Sequence, residues 1–146
     1  MSKQLNGTGD DMHSSRRHFG WAFISCLFIA AGAFAAKEAG IAGVWNGTWE
    51  GGGAGGRFDL TITHAGDKLG GKVDVGQDTG DYTADFTTAA MEDGKFKARY
   101  DYPPEPQAEI VLEGTFNGAD ATGTWTMVQK GGTDSFAAGS WTVKKK

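Results

Sequence analysis

The chain is poor in cysteine, proline and histidine, with one Cys, three Pro and three His among 146 residues. The single cysteine, Cys26, lies in an N-terminal apolar run, so everything after it is cysteine-free and no disulfide or thiolate metal site is available there. The prolines are confined to Pro103, Pro104 and Pro106, which leaves the remaining segments free to donate their backbone N–H groups to a ladder. Only His64 lies beyond the N-terminal region, and without a second His or any Cys it completes no transition-metal ligand set. Basic residues are also scarce: from Ala36 onward 11 Lys and Arg face 16 Asp and Glu, a net charge of −5. That balance excludes a broad cationic face for nucleic acid, and the terminal Lys144-Lys145-Lys146 reads as a solvated end. Helical periodicity is missing after Ile41. So are the G-x-S-x-G elbow, the phosphate-binding loop and H-E-x-x-H, and no cofactor or metal is expected. Asp74, Asp78, Asp81 and Asp85 gather near one hairpin without the spacing of a calcium loop, and read as solvated turn acids.

Glycine and aromatic residues are present instead, in a fixed relation. Five times a glycine stands two residues before an aromatic: Gly43-Val44-Trp45, Gly47-Thr48-Trp49, Gly114-Thr115-Phe116, Gly123-Thr124-Trp125 and Gly139-Ser140-Trp141. In an extended chain those two positions share a face, so each motif sets a gap beside a large ring. Glycine inside a strand marks a bend, and a nearby ring refills the space, which predicts a strongly curved sheet.

Hydrophobic residues alternate at period two through eight segments: Gly43 to Glu50, Arg57 to His64, Leu69 to Val75, Tyr82 to Thr88, Lys95 to Tyr102, Ala108 to Phe116, Ala121 to Gln129 and Phe136 to Lys144. Turn signals such as Gly66-Asp67, Glu92-Asp93-Gly94 and Asn117-Gly118 separate them. One face collects Trp45, Trp49, Phe58, Leu60, Ile62, Leu69, Val73, Val75, Tyr82, Phe86, Phe96, Tyr100, Ile110, Leu112, Phe116, Trp125, Met127, Trp141 and Val143, while the other is polar. The expectation is an all-β fold, an eight-stranded antiparallel up-and-down β-barrel with its apolar face inward, since closure removes both sheet edges. A membrane barrel needs the opposite arrangement. Nothing in the pattern fixes an oligomeric state.

Ahead of this domain, Ser15-Arg16-Arg17-His18-Phe19 leads into an apolar run from Phe19 to Ala36 that contains Ala33-Phe34-Ala35. A charged region, an apolar region and a small-x-small site are the parts of a signal peptide, expected over residues 1–35 with cleavage near 35/36 and a barrel domain over 36–146. The run resembles the S-R-R-x-F signal of the twin-arginine (Tat) pathway, and that resemblance implies bacterial export to the periplasm or the exterior. Retention as an uncleaved anchor is the alternative; the mature domain itself is not expected to span a membrane.

Gly43-Val44-Trp45 at the start of the first strand resembles the G-x-W that opens the lipocalin and avidin families, grouped as calycins. The resemblance implies a barrel with an internal site for a small, largely apolar molecule. Lipocalins favour an arginine packed over the first-strand Trp, and Lys144 is the residue this sequence offers there. Avidins are closer in length, but Asn46 and Thr48, which follow the motif, point outward. The ligand-binding candidates are Trp45, Trp49, Tyr82, Tyr100, Trp125 and Trp141 from the inner face, with His64 in phase with Phe58, Leu60 and Ile62 at a barrel mouth. Three readings remain open: a protein that binds a small hydrophobic ligand, a barrel isomerase or cyclase using His64 or an inward Tyr, and a scaffold with a solid core. Gly47, Gly71, Ala84, Ala98, Gly114 and Gly123 on the inner face leave space for either a cavity or a solid core. Tyr100 to Pro106 is a stiff loop that ends a strand, forms a lid or contacts a partner.

Overall fold

Strands this short in turn and this regular in alternation bury their apolar face only by curling a meander onto itself. The computed structural model describes residues 40–146, so the expected signal segment, Cys26 and the cleavage site lie outside the described residues. Nine strands form one antiparallel sheet: β1 Gly43–Gly51, β2 Ala54–Ala65, β3 Lys68–Val75, β4 Tyr82–Asp85, β5 Thr88–Glu92, β6 Lys95–Asp101, β7 Ala108–Asn117, β8 Asp120–Gln129 and β9 Ser135–Lys145. Their order is β4-β3-β2-β1-β9-β8-β7-β6-β5, and the sheet curls into a half-barrel. Tight turns set the register. At the β5–β6 hairpin Asp93 (φ 52°) and Gly94 (φ 77°) both adopt left-handed backbone, the two-residue geometry whose twist matches that of the flanking strands. Among the described residues no helix is long and apolar enough to cross a membrane.

The strand count departs from eight at one point. Tyr82, Ala84 and Phe86 face inward, but so do Ala89 and Met91, and between them Thr87 and Thr88 are both exposed. The alternation slips by one residue, and such a slip cannot be held in a continuous strand without turning its apolar set outward. The segment therefore breaks. Its first half, β4, pairs with β3, and its second half, β5, pairs with β6. Two backbone bonds stitch the junction to both sides: Phe86 N donates to Gly71 O at 2.9 Å and Thr87 N to Arg99 O at 2.8 Å.

Inside the curl the aromatic and aliphatic set behaves as its phase predicts. Trp45, Leu60, Val73, Phe96 and Leu112 are fully buried, Trp141 is 1% exposed, and the rest of the inward set either joins this core or packs against it. No polar or charged residue is buried among the described residues. The rings do refill the glycines, but from across the sheet rather than along the strand. Trp141 lies across Gly123, its partner on β8, and across Gly114, which pairs with Gly123 from β7. Trp125 covers Gly139 on β9 and Trp49 covers Gly56 on β2, each directly opposite in register. The reason is direction: in a sheet, side chains stand roughly perpendicular and lean toward cross-strand neighbours about 5 Å away, closer than the i+2 residue on the same strand at nearly 7 Å. Gly47 and Gly71 press against the backbone carbonyls of Thr142 and Thr61. The middle of the half-barrel is solid.

One end is capped by the chain before β1. Trp45 Nε1 donates to Ile41 O at 2.9 Å, and Ile41 is 7% exposed. The cation over Trp45 is Lys145, not Lys144: its Nζ sits 5.5 Å from the ring centroid and donates to Gly40 O at 2.9 Å. Register explains this, because Trp45 pairs with Lys145, whereas Lys144 pairs with Asn46 and turns outward to Asp120 at 3.8 Å.

Candidate functional site

The opposite end carries the β1–β2 turn and the loops after β3, β6 and β8, and there Trp49, Tyr82, Tyr100 and Trp125 converge on one open cavity of about 70 Å³. Register brings them together. Trp49 and Trp141 pair across β1 and β9, Trp125 pairs with Gly139, and Tyr100 faces Ile110 across β6 and β7. Trp49 and Trp125 meet edge to face with centroids 5.7 Å apart. Each tryptophan spends its N–H on the rim: Trp49 Nε1 donates to Gly76 O at 2.9 Å and Trp125 Nε1 to Glu50 O at 3.0 Å. The rings are thereby fixed as walls with only π faces and edges turned to the cavity. Phe58, Val75, Ile110 and Met127 line its floor, and no charged side chain contributes.

The polar part of the site is a tyrosine cluster. The Tyr82 and Tyr100 hydroxyls are 3.1 Å apart. Tyr102 packs edge-on against Tyr82 at 5.4 Å and its hydroxyl donates to Gln77 Oε1 at 3.4 Å. Burial pushes the Tyr82 phenol up to about 12, against a smaller opposing effect from its bond with Tyr100. Tyr100, 2% exposed, is raised well above the ordinary phenol value, again by burial first and then by the proximity of Tyr82. Phenols raised this far hold their protons at neutral pH and act as hydrogen-bond donors rather than bases.

This carries a consequence for stability. Tyr82 binds its proton more tightly in the folded chain, near 12, than at its ordinary value of 10.0. Its contribution is complete below pH 10 and is lost as pH rises through 12, because over that window the unfolded chain has released a proton that the native chain keeps. Urea unfolding followed from pH 9 to 12 is expected to show a loss to which Tyr82 contributes roughly 1–2 kcal/mol after allowing for partial exposure and Tyr100, raised in the same direction, adds its own share, so Tyr82→Phe is expected to make the loss shallower without abolishing it.

The other sequence candidates fall elsewhere. Trp45 is sealed beneath the capped end and Trp141 in the solid middle, and neither reaches the cavity. His64 pairs with Leu69 beside the β2–β3 turn, at the end of the half-barrel away from the tyrosines. His64 and the inward tyrosines thus lie at opposite ends and are not brought together. Among the described residues no group of three or more His, Cys, Asp or Glu is placed to hold a metal. The cavity also takes in Gln77 and Tyr102. Tyr102 shares the inward phase; Gln77 lies in the β3–β4 loop, where no period signals direction. The proline loop rims the site: Tyr102 and Ala108 close it through Tyr102 N to Ala108 O at 3.0 Å, and Pro103 to Gln107 stand exposed. The chain matches no protein-family model, and no curated protein or solved structure is significantly similar to it.

Proposed function

We propose that the chain is an exported calycin-like barrel protein that binds a small, uncharged, largely apolar ligand at its tyrosine-lined end. The observation that carries this is the convergence of Trp49, Tyr82, Tyr100 and Trp125 on the open apolar cavity described above, beside the tightly packed core. Pockets that enclose a drug-sized molecule hold about 300–1,000 Å³, and an apolar cavity of about 150 Å³ takes a benzene. At about 70 Å³ this cavity admits a short alkyl group or the edge of a ring, with the rest of the ligand lying across the mouth against Tyr102 and the proline loop. The paired phenols supply a donor to one polar atom. Apolar walls and neutral phenols penalise a charged ligand by desolvation.

The calycin reading rests on Gly43-Val44-Trp45 opening β1, on the capped end at Ile41 and on Lys145 stacked over Trp45. The bend at Phe86–Thr87, bonded to both β3 and β6, is the point at which the half-barrel would close into a barrel. Export rests on Arg16, Arg17 and the apolar run after them.

Protein purified from the cell envelope and weighed by native mass spectrometry is expected to begin near Ala36 and to carry a small added mass. Apolar compounds are expected to quench Trp49 and Trp125 fluorescence, and Met127→Trp, which fills the floor, to lower their affinity at least tenfold while the fold is kept. A library with neither quenching nor thermal shift would overturn the reading.

A further inference from the structure

We propose, resting on the ligand-binding reading above, that the ligand is a neutral carbonyl compound, a ketone, aldehyde or ester, whose oxygen accepts the Tyr82 hydroxyl proton, and that Tyr100 is the positioning residue that aims this proton. The hydrogen bonds around the cavity carry this. Tyr82 and Tyr100 share one bond at 3.1 Å, in which either hydroxyl has the geometry to donate. Burial decides between them. Tyr100 is 2% exposed, and among the described residues its hydroxyl is bonded to Tyr82 alone. If Tyr82 were the donor, the Tyr100 proton would be left buried with nothing to receive it, an arrangement that folded chains rarely tolerate. Tyr100 therefore donates and Tyr82 accepts, and the half-buried Tyr82 keeps its own O–H for whatever enters the cavity. Burial holds both phenols in the protonated form at neutral pH, so the relay has one direction. A hydroxyl that already accepts a hydrogen bond also donates a stronger one.

The carbonyl acceptors at the same end are already engaged. Gly76 O receives the Trp49 indole N–H, Glu50 O receives that of Trp125, and Gln77 Oε1 receives the Tyr102 hydroxyl. What remains of the Gln77 amide is its N–H pair, a second donor at the cavity wall. The phenol oxygens are weak acceptors, because the ring draws on their lone pairs. An alcohol, amine or primary amide would therefore bring in a proton of its own and find no strong acceptor to meet it. A carboxylate would enter a wall that carries no charged side chain. A carbonyl oxygen brings two lone pairs and no proton. It is also terminal and one atom wide, so it reaches a phenol inside about 70 Å³ while the carbon on either side lies along the aromatic walls. An ether oxygen, flanked by carbon on both sides, is held off.

The test uses the full chain and three probes built on one carbon skeleton: ethylbenzene, 1-phenylethanol, and acetophenone labelled with carbon-13 at its carbonyl. Ethylbenzene reads the apolar cavity alone. The alcohol and the ketone are close in size and polarity and differ in whether the oxygen carries a proton. Acetophenone is expected to bind about fivefold or more tightly than 1-phenylethanol, and its carbonyl resonance to move downfield on binding. Tyr82→Phe is expected to remove this preference and most of the shift. Tyr100→Phe is expected to keep part of the shift, since Tyr82 then donates without a second hydroxyl behind it. Binding of ethylbenzene with no preference for ketone over alcohol would overturn the carbonyl proposal and leave the ligand-binding reading standing. Failure of all three probes to bind would overturn both. A carbonyl shift equal in wild type and Tyr82→Phe, or one abolished by Tyr100→Phe alone, would overturn the assignment of Tyr82 as the donor.

Discussion

Trp45→Ala is expected to lower the unfolding free energy by about 3–5 kcal/mol, a large part of the roughly 5–15 kcal/mol that holds a domain of this size folded. The side chain is fully buried and does three things at once. It fills the capped end, with Phe116 edge-on at 4.8 Å. It ties the chain before β1 to the sheet through Nε1 and Ile41 O. It also offers its face to Lys145. Alanine removes the ring, leaves a cavity that the strands on either side cannot collapse into, and deprives the Ile41 carbonyl of its donor. Trp45→Phe keeps much of the area and loses the N–H, so its loss is expected to be smaller. Urea titration monitored by circular dichroism reads both, with the slope of the transition unchanged. A wild-type midpoint for Trp45→Ala would mean that the first strand does not face inward as described.

The inner face was legible from the sequence because it rests on one local rule. Two-residue alternation decides which side of a strand meets water, and residues as far apart as Trp45 and Val143 follow it without reference to their partners. The break between β4 and β5 is written in the same code, as the slip from Tyr82, Ala84 and Phe86 to Ala89 and Met91, but reading the segment as one strand passes over it. Lys145 is a similar case: it shares the phase of Val143, and counting by two from that residue gives the cation over Trp45 directly. Register across strands is not local. That Trp141 covers Gly114 and Gly123, and that Trp49 and Trp125 meet at one end while His64 lies at the other, depends on hairpin lengths and shear that no single strand encodes. For the same reason the sequence showed seven binding candidates and could not separate the four at the cavity from Trp45 and Trp141, packed in the core, and His64, away from the cavity.

The contact between Trp141 and Gly114 gives the second large effect, and a double-mutant cycle isolates it. A Cβ on Gly114 would fall about 2.5 Å from Trp141 Cη2, well inside contact distance, while its nearest backbone atom, Thr122 O, would be 3.1 Å away. The main obstruction is therefore the indole, with the Thr122 carbonyl adding a tight but smaller contact. The indole has little room to yield, since its Nε1 donates to Thr124 O at 3.0 Å and Phe58 packs against it at 5.7 Å. Gly114→Ala alone is expected to cost about 1–3 kcal/mol or more through overpacking. Trp141→Ala alone is expected to cost about 3–5 kcal/mol through the cavity it leaves. Together they should cost less than their sum by most of the overpacking penalty, because the added methyl then enters space the indole has vacated, and alanine is a better strand residue than glycine. Gly123→Ala serves as the contrast. Its Cβ would also meet Trp141, at 2.6 Å from Cζ2, but it collides with the carbonyl of Glu113 as well, so removing the indole restores only part of the loss. Strict additivity at Gly114 would show that the ring does not cover this glycine, and the account of how aromatic residues fill the curved sheet would fall with it.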